Sequence, residues 1–193
     1  MSNNINQLKK LLEPELHVIG EIIGGSDFQY NNAFCSMEVK SGKEWVCVGG
    51  DEEAQTQVDY PQDGSDMFVW NHPIDLHYYT QTIQGWPQLI FTIGKLDTYG
   101  ANSLLGYGFC YIPSQSGIHE LDISIWRPRG TPKEEVFDFF LGGVPHIVDK
   151  SMINNPNKAK EDRCRISTIY EGKIHVRLEV MLRNMSAGHN VQT

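Results

Sequence analysis

The sequence predicts an all-β fold, namely an antiparallel eight-strand sandwich with a short helical insertion before the last strand. Short apolar runs recur along the chain and are separated by turn-forming residues, as in β-sandwiches. The 193 residues include 18 Gly and 9 Pro scattered without a period, which favours many turns over long helices. The segment 173–183 alternates between apolar and polar residues, as expected of a strand with one buried face.

The chain divides into an N-terminal arm, one domain and a short tail. Residues 1–14 place three leucines at helical spacing ahead of Pro14, which indicates a short helix or a loose arm. Residues 15–184 contain the strand-like runs, and residues 185–193 follow as a tail. In chain order the runs are LHVIGEII, FCSMEV, WVCV, MFVWNHPIDLHYY, PQLIFTI, LLGYGFCYI, IHELDISI and KIHVRLEVMLR, with a candidate short strand at TQV.

The last strand has the clearest pattern. Its predicted inward row is Ile174, Val176, Leu178, Val180 and Leu182, and its predicted outward row is Lys173, His175, Arg177, Glu179 and Arg183. Because side chains of a strand alternate between two faces, this pattern predicts one buried side and one solvated side.

A helix is predicted just before this strand, over TPKEEVFDFFLGG at residues 131–143. Thr131 and Glu134 have the spacing of a capping box, with Pro132 in the first turn. A stripe of Val, Phe and Leu follows, and two glycines end the helix.

The net charge of −8 argues against general binding to nucleic acid or to anionic membranes. The charge is uneven, since residues 150–193 have eight Lys or Arg against four Asp or Glu, whereas the rest has eight against twenty. A solvated face is the simpler interpretation of this asymmetry, although a locally basic end stays open.

We expect an intracellular, soluble protein, because the sequence shows neither a secretory signal nor an apolar run long enough to span a bilayer. The four cysteines lie far apart and form no C-x-x-C pair. We therefore expect reduced and mostly buried thiols at Cys35, Cys47, Cys110 and Cys164.

The sequence contains no P-loop, nucleophile elbow or zinc-protease helix motif. His72 and His77 are five residues apart, so in a strand they point to opposite faces and do not easily share a metal ion. Asp75 and His77 share a face, where they could hydrogen-bond as a polar surface pair. We therefore expect no enzyme activity and no cofactor.

Two stretches, VWNHPIDL and FTIGKLDTYGANSLLGYG, resemble C-two (C2) domains, which bind calcium and lipid through acidic loops. On the C2 loop pattern D-x-D-x-x-x-x-x-D, Lys95 falls on the first acid, Asp97 on the second and Ser103 on the third. In the partner loop GGSDFQYNNAF, Asp27 matches one acid and the second falls near Asn32. Calcium takes about six to eight oxygen ligands, several of them carboxylates. The resemblance therefore implies a degenerate loop without a metal ion, in which Lys95 could pair with Asp97.

A broader resemblance extends from about Leu16 to Asn184. The stretches HVIGEIIG, QTQVD, HPIDLHY, GWPQLIF, GYGFCYIPS and VMLRN are similar to the B-nine (B9) domain family, which is related to C2 domains. The resemblance implies a C2-like sandwich that acts as a non-enzymatic scaffold subunit of the Meckel-syndrome complex, in the transition zone and basal body of the cilium.

The same resemblance implies partners and a location. The partners would be two other B9-domain proteins in a heteromeric complex. The location would be the cytoplasmic side of the cilium base, where the complex supports cilium biogenesis and the diffusion barrier between the ciliary and plasma membranes.

A scaffold of this kind is expected to dock through exposed aromatic anchors within polar rims. The candidates are Trp86, Trp126, Tyr99 and Tyr107, with core packing as the alternative for each.

A second function stays open, a calcium-independent peripheral membrane module that binds phosphoinositides through Tyr99 and the basic C-terminal region. Against it, the stretch KEWVCVGGDEE has Lys43 as its single cation and ends in three acids.

Overall fold

Antiparallel strands make up the regular structure in a computed structural model of the chain, which describes residues 13–61, 65–96, 99–129 and 167–185. The strands are β1 (Glu15–Ser26), β2 (Phe34–Lys40), β3 (Trp45–Gly50), β4 (Glu53–Gln55), β5 (Met67–Thr80), β6 (Gln88–Leu96), β7 (Asn102–Tyr111), β8 (Gly117–Pro128) and β9 (Thr168–Arg183). The predicted helix at 131–143 lies outside the described residues. Those residues contain no helix that could span a bilayer.

The strands form one antiparallel sheet in the order β3-β5-β1-β9-β8-β7-β6-β2-β4. The predicted all-β antiparallel class is confirmed, but the predicted count of eight is wrong, since the described residues contain nine strands. The additional strand is β4, a three-residue edge strand paired with β2. The candidate strand TQV is not part of β4 but follows it directly. The ladder between β2 and β4 ends at Gln55, and at the next position the side-chain hydroxyl of Thr56 accepts the Cys35 N–H at 2.9 Å.

The sheet is almost interrupted between β7 and β8, which share a single paired position, Tyr107 opposite Trp126. We call β3-β5-β1-β9-β8 the five-strand half and β7-β6-β2-β4 the four-strand half. The predicted sandwich of separate sheets is therefore replaced by one sheet that curls at this seam.

Two glycines of β7 allow the close approach at the seam. A Cβ on Gly106 would lie 2.7 Å from Cγ2 of Ile125 and 3.0 Å from the carbonyl oxygen of Trp126. A Cβ on Gly108 would lie 2.6 Å from Cδ1 of Ile125. Since glycine in a strand permits another segment to approach closely, these residues explain why GYGFC has two glycines.

Inward side chains from both halves form one apolar cluster. Leu76 and Leu178 contribute from the five-strand half, and Phe91 contributes from the four-strand half; all three are fully buried. The indole N–H of Trp70 on β5 donates to the carbonyl oxygen of Ala33, just before β2, at 3.2 Å. The curl therefore closes a core in which each half covers the other.

The predicted alternation of β9 is confirmed. Its inward residues from Ile174 to Val180 are at most 1% exposed, and Leu182 is partly buried against the core. β9 pairs with β1 on one side and with β8 on the other, so it lies inside the five-strand half.

Cys35, Cys47 and Cys110 are free thiols; Cys35 is buried as expected, Cys47 and Cys110 are partly buried, and Cys164 lies outside the described residues. Burial raises the pKa of the Cys35 thiol far above its usual value and raises the pKa of Cys110 to about 12. Both thiols are therefore protonated at neutral pH and pack as small apolar side chains.

The seam predicts that Gly106→Ala destabilises the protein. The new methyl group would overlap Ile125, so we expect the free energy of unfolding to fall by about 1 to 3 kcal/mol, as in other overpacked cores. The measurement is urea denaturation.

Gly49→Ala is the matched control, because a Cβ there would meet only the Cβ of His77, at 3.9 Å. We expect this change to alter the free energy of unfolding by no more than about 1 kcal/mol. Equal stability of the two variants would contradict the role assigned to the seam.

Candidate functional site

The loop end of the sheet, formed by residues 27–32, the facing ends of β6 and β7 and the start of β9, contains four residues of the calcium-loop pattern, namely Asp27, Asn32, Lys95 and Ser103. Lys95 and Ser103 lie directly opposite each other in the β6–β7 ladder. Asp97 lies outside the described residues, and so does any pairing of Lys95 with it. The first and third positions of the pattern are thus adjacent across the two strands, and the first is occupied by the positively charged side chain of Lys95.

The Lys95 ammonium lies over the ring of Tyr30, with Nζ 4.6 Å from the ring centroid. This is within the range of a cation–π interaction. Burial raises the pKa of Tyr30, and the charge of Glu171 and its hydrogen bond to the tyrosine raise it further, whereas Arg127 lowers it. Tyr30 therefore keeps its hydroxyl proton and links Lys95 to an ion pair.

That ion pair joins Nε of Arg127 on β8 to Oε1 of Glu171 on β9. Glu171 is only 8% exposed, and a buried carboxylate requires a partner of opposite charge. The pair holds together the ends of β8 and β9, beside the loop that follows β1.

The two residues matched to acids in the other loop are also engaged within the protein. Asp27 lies 3.6 Å from Nζ of Lys173 and accepts a hydrogen bond from the Tyr170 hydroxyl at 3.1 Å. Asn32 accepts a hydrogen bond from the N–H of Leu96 at 2.9 Å, which ties the loop to β6. Among the described residues, no group of three or more His, Cys, Asp and Glu could hold a metal ion.

The outward face of the five-strand half is a second polar region, with ion pairs between neighbouring strands. Arg177 on β9 lies 3.1 Å from Glu21 on β1 and 3.3 Å from Glu120 on β8. Arg183 lies 3.5 Å from Glu15. The β9 cations are therefore neutralised by carboxylates of adjacent strands.

The sequence-based pairing of Asp75 with His77 is wrong. Asp75 instead lies 3.1 Å from Nε2 of His17 on β1, within hydrogen-bond distance. His77 stacks on the His17 ring, with centroids 5.0 Å apart, and its Nε2 lies 3.7 Å from Glu15. β1 and β5 place His17 directly opposite His77, a register that the sequence alone does not reveal.

Sequence reasoning also missed a serine–histidine–aspartate constellation on this face. Nε2 of His175 lies 2.9 Å from Oγ of Ser26, and Nδ1 lies 2.6 Å from Asp122. The connectivity is that of a hydrolase triad. A hydrolase also needs donors for the oxyanion and a cleft for the substrate. Ser26 lies within the ladder between Met67 and Lys173, so its backbone is held by the neighbouring strands on both sides.

Of the four predicted aromatic anchors, three pack against the protein itself. Trp86 donates its indole N–H to the Ile112 carbonyl at 2.7 Å. Tyr107 is 3% exposed, and its ring centroid is 6.1 Å from that of Trp126, which is partly buried. Tyr99 is 94% exposed. Trp86, Tyr107 and Trp126 therefore follow the alternative of packing within the protein, and Tyr99 is the exposed one of the four.

Comparison with known proteins identifies relatives over most of the chain. Residues 16–181 match the B9-C2 family model, described as ciliary basal body-associated B9 protein. The chain is 43% identical to B9 domain-containing protein 2 of Xenopus laevis and 42% identical to that of Homo sapiens. Each alignment spans 170 residues and covers 88% of this chain and 94% of the relative. The resemblance predicted from the sequence motifs is confirmed.

More distant similarities also appear. Human B9 domain-containing protein 1 is 29% identical over 140 residues, which is 72% of this chain and 69% of that protein. Among solved structures, a C2 domain of plant extended synaptotagmin 1 aligns with a TM-score of 0.42 and 13% identity, over 88% of this chain and 94% of that domain. The overlap with this domain is loose.

The loop end predicts that the protein binds no calcium specifically. Lys95 and Ser103 stand where carboxylates are expected, and a lysine ammonium repels a divalent cation. We expect calorimetric titration into millimolar calcium to give no saturable heat. A saturable heat that Asp97→Asn abolishes would contradict this interpretation of the loop.

Proposed function

The chain belongs to the ciliary basal body-associated B9 family, and on that premise we propose that it is a non-enzymatic scaffold subunit at the base of the cilium. It would act on the cytoplasmic side of the transition zone, within the Meckel-syndrome complex. There it would support cilium biogenesis and the membrane diffusion barrier. The observation that carries this proposal is the family match over residues 16–181.

The proposed partners are two other B9-domain proteins in a heteromeric complex. The similarity of this chain to both B9 domain-containing proteins 1 and 2 supports a partner from the same family. We propose residues 15–184 as the binding domain, with residues 1–14 as an arm and residues 185–193 as a tail.

The sheet supports a role in recognition by shape. Ion pairs join β9 to both of its neighbours, through Arg177, and the two halves share one core. A surface that is ordered before binding loses little conformational freedom on association. Such a protein can position its neighbours without any chemistry on a substrate.

Non-enzymatic function gives a direct expectation for Ser26. Because Ser26 is paired within the sheet, between Met67 and Lys173, we expect it to be unreactive. The measurement is labelling with a fluorophosphonate probe, followed by intact-mass spectrometry, with a serine hydrolase as positive control. Stoichiometric labelling that Ser26→Ala removes would contradict the non-enzymatic proposal.

The alternative, a calcium-independent phosphoinositide-binding module, receives less support. Lys173, Arg177 and Arg183 on β9 all face carboxylates within the protein. Cations that are already paired offer less attraction to anionic headgroups. The degenerate calcium loop at Lys95, Asp97 and Ser103 likewise gives no metal bridge to lipid.

The scaffold proposal predicts that the purified full chain captures human B9 domain-containing protein 1, with the plant synaptotagmin C2 domain as a negative control. Retention should persist near physiological salt, because a stable interface does not depend on surface charge alone. In parallel, sedimentation with phosphoinositide vesicles should retain little protein. Capture of vesicles at the same salt, without capture of the B9 protein, would favour the membrane module instead.

A further inference from the structure

An exposed apolar patch surrounds one carboxylate on the outward face of the five-strand half. In the ladders, Glu179 of β9 lies opposite Ile19 of β1 on one side and opposite Ile118 of β8 on the other. Met181 follows on the same face of β9. Ile19 is 42% exposed, Ile118 is 70% exposed and Met181 is 39% exposed. We call these four residues the Glu179 patch.

Unlike the other charged residues on the outward face of β9, Glu179 has no counter-ion within the described part of the chain. Lys173, Arg177 and Arg183, the other fully charged outward residues of β9, each lie within 3.6 Å of a carboxylate. Glu179 makes no ion pair with any residue that the structure describes. Asp75, which lies opposite Ile19 on β5, is 70% exposed and lies 3.1 Å from Nε2 of His17; it adds a second carboxylate beside the patch.

The patch also adjoins an open strand edge. β8 pairs with β7 only at Trp126, near its C-terminal end. Around Ile118, at the other end of β8, the described residues place no strand on its outer side. Among the described residues, Ile118 is therefore open both on the face and at the edge of the sheet.

These features determine the chemistry of an occupant. Covering Ile19, Ile118 and Met181 would remove apolar surface from water, but it would also bury Glu179. A buried carboxylate without a partner is costly, so the occupant must bring a cation. Arginine fits best, because its guanidinium binds a carboxylate with two hydrogen bonds while its aliphatic stem packs on apolar side chains. An anionic membrane would instead be repelled by Glu179 and Asp75.

We propose that the Glu179 patch docks a protein surface with an arginine ringed by apolar side chains. This deepens the proposed scaffold function and rests on it, because it assigns one face of the sheet to a B9-domain partner. Glu179 would provide specificity, and the three apolar residues would exclude water from the ion pair.

The test compares affinities of full-length variants for purified human B9 domain-containing protein 1, by biolayer interferometry. Glu179→Lys should weaken binding by about tenfold or more, and Ile118→Ser by about fivefold or more. Glu179→Gln should also reduce the dependence of affinity on salt, since it removes one charge pair. Thermal unfolding of each variant confirms that the fold is intact.

Glu53→Lys is the matched control, since it makes the same charge change at an exposed position on β4, at the far edge of the sheet. We expect it to change the affinity by less than about twofold. Equal effects of Glu179→Lys and Glu53→Lys would overturn the proposal, because they would reflect net charge alone. Loss of affinity in Ile118→Ser without any loss in Glu179→Lys would also overturn it, because the occupant would then be apolar.

Two further outcomes separate this proposal from the scaffold function. If the unaltered chain binds the B9 protein and Glu179→Lys binds equally well, the patch proposal fails and the scaffold function stands. If the unaltered chain binds no B9 protein, the scaffold function fails and the patch proposal fails with it. Binding of neutral vesicles that Ile118→Ser abolishes, with protein capture intact, would make the patch a membrane contact and would overturn the proposal.

Discussion

The close contact between β7 and β8 is the constraint on which the rest of the structure depends. A flat nine-stranded sheet would leave its apolar side chains exposed to water, because the described residues provide one sheet and no second layer. The curl at Gly106 and Gly108 allows the five-strand half and the four-strand half to cover each other. The resulting burial of apolar surface is the main favourable term in folding. Larger residues at these two positions would push β7 and β8 apart, and these are the strands through which the two halves of the sheet are paired.

Sequence patterns predicted the elements whose two faces have different environments. The alternation in β9 is plain because Leu178 and Arg177 meet apolar and aqueous surroundings respectively. By contrast, β4 is three residues long and gains little from burial, so its pattern of Glu53, Ala54 and Gln55 resembles that of a polar loop. The glycines of GYGFC were visible as a family motif, but their cause lies in Ile125, a residue of another strand.

The candidate sites depend on register, which is the property that local sequence determines least. Ile19, Ile118 and Glu179 lie in three separate parts of the chain, and only the ladders of β1 and β8 with β9 bring them together. Register also decides the partner of Asp75. The sequence suggested His77, but the structure places Asp75 within hydrogen-bond distance of His17. Aromatic residues were ambiguous for a related reason, since Trp86 fits a core as well as an interface until its partner, the Ile112 carbonyl, is known.

In both polar regions, most cations contact a partner within the protein. At the loop end, Arg127 and Lys173 pair with the carboxylates of Glu171 and Asp27, and Lys95 lies over the neutral ring of Tyr30. On the outward face, the same matching satisfies Arg177 and Arg183 and thereby lowers the attraction of that face for random anions. A face whose charges are mostly paired can discriminate between partners through the few groups that are not. Where one such group is a carboxylate among exposed isoleucines, a partner without a cation there would leave it desolvated and unpaired. That penalty disfavours partners that lack a matching cation.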